Sequence, residues 1–132
     1  MIVDTSAVLA VLFAEPDAGR YEQAIAAADG CRMSAANFVE AAVVIDLQTN
    51  AAGSRHFDVF VRRSRLTIEP VTEEQAHLAR QAHFDYGKGR HPAGLNFGDC
   101  FAYALAKATG EPLLFKGNDF SKTDIAVADD EP

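Results

Sequence analysis

Four acidic side chains stand apart from the solvated charge of this chain: Asp4 in MIVDTS, Glu40 in NFVEAA, Asp99 in NFGDCF and Asp119 in KGNDF. Each is set among apolar or small residues rather than in a charge run. If the fold gathers them, two carboxylates about 4 Å apart repel by roughly 4 kcal/mol at an effective dielectric near 20. Such a cluster persists by protonating some of its members or by holding a cation.

Taken singly, three of the four also have a purely local explanation. Asp4 precedes Thr5-Ser6 and suits a helix cap. Asp99 lies three residues after Asn96, the spacing of a cap with an acid in the first turn. Asp119 can cap a short turn at Phe120-Ser121, as can Asn118. Glu40 has no such explanation. It falls in the middle of an expected helix between Phe38-Val39 and Ala41-Ala42-Val43-Val44, with no evident solvent face, and a buried glutamate without a partner is costly.

The elements that must position these acids are short apolar runs alternating with helices. Ile2-Val3, Arg32-Met33-Ser34, Leu66 to Val71, Leu113-Leu114-Phe115 and Ile125-Ala126-Val127 read as strands. Helical spacing is expected over Ala7 to Ala14, Asp17 to Ala28, Ala35 to Leu47, a stretch from Gly53, Ala76 to Tyr86, and Asn96 to Ala108. Strand–helix alternation favours a parallel sheet covered on both faces, with right-handed crossovers. The expected class is α/β: one three-layer domain over residues 1–132, with a central parallel sheet of four to five short strands flanked by helices. In such sheets ligands collect beyond the carboxyl ends of the strands. Asp4 follows the first strand and Asp119 the fourth, so both belong at that rim. Lys116 lies between that strand and Asp119 and fits either the rim or plain surface.

Composition narrows the functional classes. The chain has 132 residues, 48% of them hydrophobic and 23% charged, with a net charge of −7. That balance is ordinary for a globular domain and argues against nucleic-acid binding through a basic face. A bound divalent cation reverses the sign locally, so a nuclease stays open, as does a basic protein partner. Cys31 and Cys100 are far apart and read as small buried hydrophobes rather than a zinc or disulfide framework. His56, His77, His83 and His91 lack the spacing of a helical zinc pair. No apolar run reaches the roughly 20 residues of a membrane span, and no signal-peptide pattern opens the chain, so a cytoplasmic location is expected.

With these residues in place, the chain resembles the PIN-domain family, in particular the VapC-type toxin ribonucleases of type II toxin–antitoxin pairs. The resemblance is carried by Ile2-Val3-Asp4-Thr5-Ser6, the helix holding Glu40, Leu95-Asn96-Phe97-Gly98-Asp99-Cys100 with Ala102-Tyr103-Ala104, and Leu113 to Phe120 with Thr123-Asp124-Ile125. Order and spacing across nearly the whole chain give it its force; a lone DTS is weak. It implies an endoribonuclease dependent on Mg²⁺ or Mn²⁺, hydrolysing RNA phosphodiester bonds with a cation-activated water and leaving 5′-phosphate and 3′-hydroxyl ends. Asp4, Glu40, Asp99 and Asp119 correspond to the family's catalytic quartet, with Ser6 as a supporting hydroxyl. Asp4 and Asp99 are expected to hold the metal most directly, Glu40 and Asp119 through water or by orienting the nucleophile. A cognate VapB-type antitoxin and a homodimer are implied as partners, and an antitoxin Arg placed among the acids would substitute a bidentate fork for the metal's charge.

Two other readings compete. A non-catalytic acidic module would use the same carboxylates only to bind a basic partner. A phosphatase with Asp4 as covalent nucleophile is the third. Haloacid-dehalogenase-like enzymes carry a second Asp two residues after the first, where this chain has Ser6.

Overall fold

Ile2 and Val3 are both fully excluded from solvent, although the strand they form is only two residues long. A strand covered on both faces needs that pattern. The computed structural model describes residues 1–128. It contains strands β1 (Ile2–Val3), β2 (Cys31–Ser34), β3 (Leu66–Glu69) and β4 (Leu113–Leu114). Between them lie helices α1 (Thr5–Leu12), α2 (Ala18–Ala27), α3 (Ala35–Gln48), α4 (Ala51–Arg63), α5 (Glu73–Tyr86) and α6 (Phe97–Thr109). A single 3₁₀ turn, Phe120–Lys122, follows β4. All strand pairs are parallel, in the order β3-β2-β1-β4.

Alternation along the strands divides the core in two, because successive side chains point to opposite faces. The register pairs Ile2 with Leu113 and Val3 with Leu114. Val3 and Leu114 join Met33, Val8 and Ile45 under α1 to α4. Ile2 and Leu113 join Leu95, Leu105 and Ala82 under α5 and α6. The result is the expected three-layer α/β arrangement. Leu105, 1% exposed, is a keystone of the second cluster. Leu105→Ala is expected to destabilise by about 2–5 kcal/mol, read as a fall in denaturation midpoint at constant slope.

The element boundaries shift where caps decide them. Helix α1 starts at Thr5, two residues ahead of the expected Ala7, because Asp4 caps it. Helix α4 starts at Ala51 rather than Gly53, because the Asn50 side chain accepts from the Ala52 and Gly53 amides at 3.0 and 3.3 Å. Strand β3 ends at Glu69, just ahead of Pro70. The expected strand at Ile125–Val127 is reduced to a single bridge, Leu113 to Val127. A two-residue β4 leaves no more ladder to extend. Helix α3 also departs from expectation, exposing an apolar stripe at Val39, Val43 and Leu47. Cys31 and Cys100 are buried free thiols, as their spacing suggested.

Candidate acidic site

Parallel strands send their carboxyl ends to one edge of the sheet, and three of the acids follow from that edge or from the helices rooted there. Asp4 leaves β1 in extended backbone and is 3% exposed. Its Oδ2 accepts from the Ser6 amide at 3.0 Å and from the Ser6 hydroxyl at 2.6 Å. The Ser6 oxygen accepts in turn from the Lys116 amide at 2.9 Å, tying the segment after β4 to Asp4. Asp4 is thus the cap of α1 that its position suggested. Burial pushes the Asp4 carboxyl from its usual 3.8 up to about 7; the Ser6 bonds oppose the rise, while the charges of Asp99 and Glu40 add to it.

Glu40 is half-buried on α3 and held by one oxygen. Thr5 Oγ1 donates to its Oε1 at 2.6 Å, and Asn37 Nδ2 donates to the same atom at 3.3 Å. The same Asn37 nitrogen donates to the Gly98 carbonyl at 2.9 Å, across to the first turn of α6. A Cβ on Gly98 would stand 2.1 Å from Glu40 Oε2, so the carboxylate occupies the room a larger residue would take. Asn37 is fully buried and its Oδ1 has no hydrogen-bond partner. An unsatisfied buried acceptor costs about 1–3 kcal/mol.

Asp99 is half-buried and completes a capping box with Asn96: it accepts from the Asn96 amide at 3.0 Å while its own amide donates to Asn96 Oδ1 at 2.9 Å. Burial raises its carboxyl pKa, the Asn96 bond lowers it, and the charges of Asp119 and Glu40 raise it further. Asp119 is exposed ahead of the 3₁₀ turn and makes no side-chain cap, so the local explanation fails for it. Lys116 does not turn its ammonium to the acids. Its Nζ donates to Glu15 and, at 3.0 Å, to Asp17, at the turn between α1 and α2.

Asp4 thus feels the charges of Asp99 and Glu40, and Asp99 those of Asp119 and Glu40, while the bonds between their elements run through neighbours, Thr5 to Glu40 and Asn37 to Gly98. Among the described residues no three His, Cys, Asp or Glu side chains converge closely enough to form a ready-made metal cage. The donor set still fits a hydrated divalent cation. Mg²⁺ typically takes one or two carboxylates and keeps several waters, and a buried Asp4 whose ionisation is opposed by two neighbouring acids is a group a cation would stabilise. The residues not anticipated from sequence are Thr5, Asn37 and Gly98. Their only local signal is position: Thr5 beside Asp4, Gly98 beside Asp99, and Asn37 one turn ahead of Glu40. A concave surface lined by Val11, Leu12, Ile25, His56 and Phe60 contains none of the four acids.

The PIN domain family model matches residues 1–126. The chain is 52% identical over 129 residues to Ribonuclease VapC28 of Mycobacterium tuberculosis, covering 97% of each chain. Among solved structures it superposes on the M. tuberculosis toxin VapC20, described as cleaving the sarcin–ricin loop, with TM-score 0.77 at 16% identity, covering 95% of both chains. A toxin–antitoxin complex from Klebsiella pneumoniae gives TM-score 0.72 at 18% identity, covering 96% of this chain and 94% of that one.

Proposed function

The chain belongs to the PIN domain family, and from that premise we propose that it is the toxin ribonuclease of a type II toxin–antitoxin pair, dependent on Mg²⁺ or Mn²⁺. Identity of 52% to a named VapC ribonuclease over 97% of both chains supports the activity. The observation that carries the site is Asp4: a buried acid, pushed to about 7, in electrostatic contact with Asp99 and Glu40.

In this reading Asp4 and Asp99 hold the cation, with Glu40 and Asp119 completing the site at one remove. The cation, when bound, supplies charge stabilisation to the phosphodiester and acidifies water. The chain's own residues do the rest. Ser6 fixes Asp4 Oδ2 through two bonds and leaves the carboxylate directed by the start of α1. The Asn96 capping box holds Asp99 at the first turn of α6. Glu40 presents Oε2 beside Gly98. Asp119 is the most exposed of the four.

A VapB-type antitoxin is the expected partner, as toxin–antitoxin assemblies occur among the structural neighbours. Homodimerisation through α3 is proposed from its apolar stripe at Val39, Val43 and Leu47, which are 56%, 49% and 81% exposed. No helix of the described residues is long and apolar enough to cross a membrane, and a cytoplasmic location is proposed together with the toxin role.

The test is cleavage of total RNA by the purified protein with Mn²⁺, with EDTA, and by Asp99→Asn. Manganese-dependent cuts bearing 5′-phosphates are expected, with Asp99→Asn slower by at least roughly 100-fold. No cleavage by the parent would favour a non-catalytic acidic module, equal cleavage by both proteins would point to contamination rather than this site, and full activity in EDTA would rule out the metal dependence.

A further inference from the structure

Asn37 is fully buried one helical turn ahead of Glu40. Its amide nitrogen donates in two directions, to Glu40 Oε1 at 3.3 Å and to the Gly98 carbonyl at 2.9 Å. Both partners are acceptors, so the amide has only one compatible orientation. Thr5 adds a second and shorter bond, 2.6 Å, to the same Oε1. One carboxylate oxygen is thereby anchored twice. The other, Oε2, is left lying over Gly98, where a Cβ would come within 2.1 Å.

These contacts join the three helices that carry Asp4, Glu40 and Asp99. Thr5 is the chain neighbour of Asp4, Gly98 is the neighbour of Asp99, and Asn37 shares α3 with Glu40. The Asn37 Oδ1 is buried without a hydrogen-bond partner, whereas buried polar atoms are as a rule paired. We propose that Thr5, Asn37 and Gly98 are positioning residues that lock Glu40 Oε1 and so set Oε2 in register with Asp4 and Asp99. The inference rests on the nuclease reading above and deepens it by naming what fixes Glu40 in place. Thr5 and Asn37 act by holding, Gly98 by having no side chain.

Two variants separate this from ordinary packing, with Asn37→Ala set aside because its burial risks unfolding the chain. Thr5→Val removes the hydroxyl at constant shape, and Gly98→Ala places a methyl group against Oε2. Mn²⁺ affinity is measured by calorimetry on the full chain, and RNA cleavage is followed separately. Each variant is expected to weaken Mn²⁺ binding roughly 10-fold and to lower kcat about 10- to 100-fold, with KM for RNA within about threefold. Thr5→Ser, which keeps the hydroxyl, should stay within about threefold of the parent in both measurements. In a Glu40→Gln background, Thr5→Val should change Mn²⁺ affinity by less than about twofold, since the group it positions is already altered. Parent-like Mn²⁺ binding and cleavage by both variants overturns the inference, as does an equal loss from Thr5→Val in the two backgrounds. If Gly98→Ala does not fold, as judged by circular dichroism, the Thr5 series decides. A parent protein that neither binds Mn²⁺ nor cuts RNA removes the nuclease reading first, a result distinct from failure of the variants alone.

Discussion

Asp4→Asn is expected to abolish RNA cleavage while making the metal-free protein more stable. The loss should reach roughly 10²–10³-fold or more in kcat, the scale set by removing a preorganised charge from a catalytic site. The gain has a different origin. Asp4 is 3% exposed, and burial together with Asp99 and Glu40 pushes its carboxyl to about 7. Above that pH the native chain must keep a desolvated charge beside two other acids. Asparagine keeps an oxygen to accept from the Ser6 amide and hydroxyl, so the cap on α1 survives. The neutral amide then escapes an ionisation cost of roughly 2–4 kcal/mol at pH 8, at about 1.4 kcal/mol per pKa unit. Denaturant unfolding in EDTA at pH 8 checks the stability, and cleavage with Mn²⁺ checks the activity. An Asn variant that is inactive but less stable than the parent would mean that Asp4 acts there chiefly as a cap.

Opposite signs for activity and stability at one residue are the signature of a site held against its own electrostatics. Elsewhere in the chain the two demands coincide. Asp124 accepts from Tyr103 at 2.6 Å and from Lys107 at 2.7 Å, and those bonds hold its carboxyl below the usual range. Lys116 is likewise satisfied by Glu15 and Asp17. Asp4 receives two hydrogen bonds and no cation among the contacts described, and burial overrides them. A surface acid finds its counter-charge within the protein; this cluster is left to protonation or to a cation from outside.

Sequence made the rim of the sheet legible and left its internal bracing hidden, for a physical reason. Asp4 after Ile2-Val3 and Asp99 after Asn96 are local arrangements, a cap and a capping box, which short spacing specifies. The paired register of β1 and β4 follows from two apolar pairs that each need both faces covered. Asn37 and Gly98, by contrast, are 61 residues apart, and their bond exists only once α3 and α6 have packed. The direction of Lys116 was equally unreadable, since its partners lie 101 and 99 residues away. Helix α3 misleads in another way. Apolar residues on most of its faces suggest complete burial, yet Leu47 is 81% exposed. An unpartnered apolar face and a buried one have the same composition.

Removing the metal should make stability fall as pH rises, the reverse of the behaviour of an ordinary paired carboxylate. Asp4 and Asp99 both have raised carboxyl pKa values in the folded state, Asp4 from 3.8 to about 7. Between those limits the native chain binds more protons than the unfolded one, so the unfolding free energy declines with pH. The Asp4 contribution is fully present below pH 3.8 and is gone once pH passes about 7. Over that span it amounts to about 4 kcal/mol as an upper figure, from about 1.4 kcal/mol per unit. Other carboxylates, such as Asp17 and Asp124, have lowered values and act in the opposite sense at more acid pH. The decline is therefore expected between about pH 5 and pH 7, and it should flatten in Asp4→Asn, which separates it from the general repulsion of a chain of net charge −7. Mn²⁺ competes with protons for the same oxygens, so it should restore stability at pH 7.5 by about 2.7 kcal/mol at 100 times its dissociation constant. At pH 5, where Asp4 is protonated in the native state, the same Mn²⁺ concentration should stabilise far less. Thermal melts at the two pH values, each with EDTA or Mn²⁺, decide it; a pH-independent response to Mn²⁺ would place the binding oxygens away from Asp4.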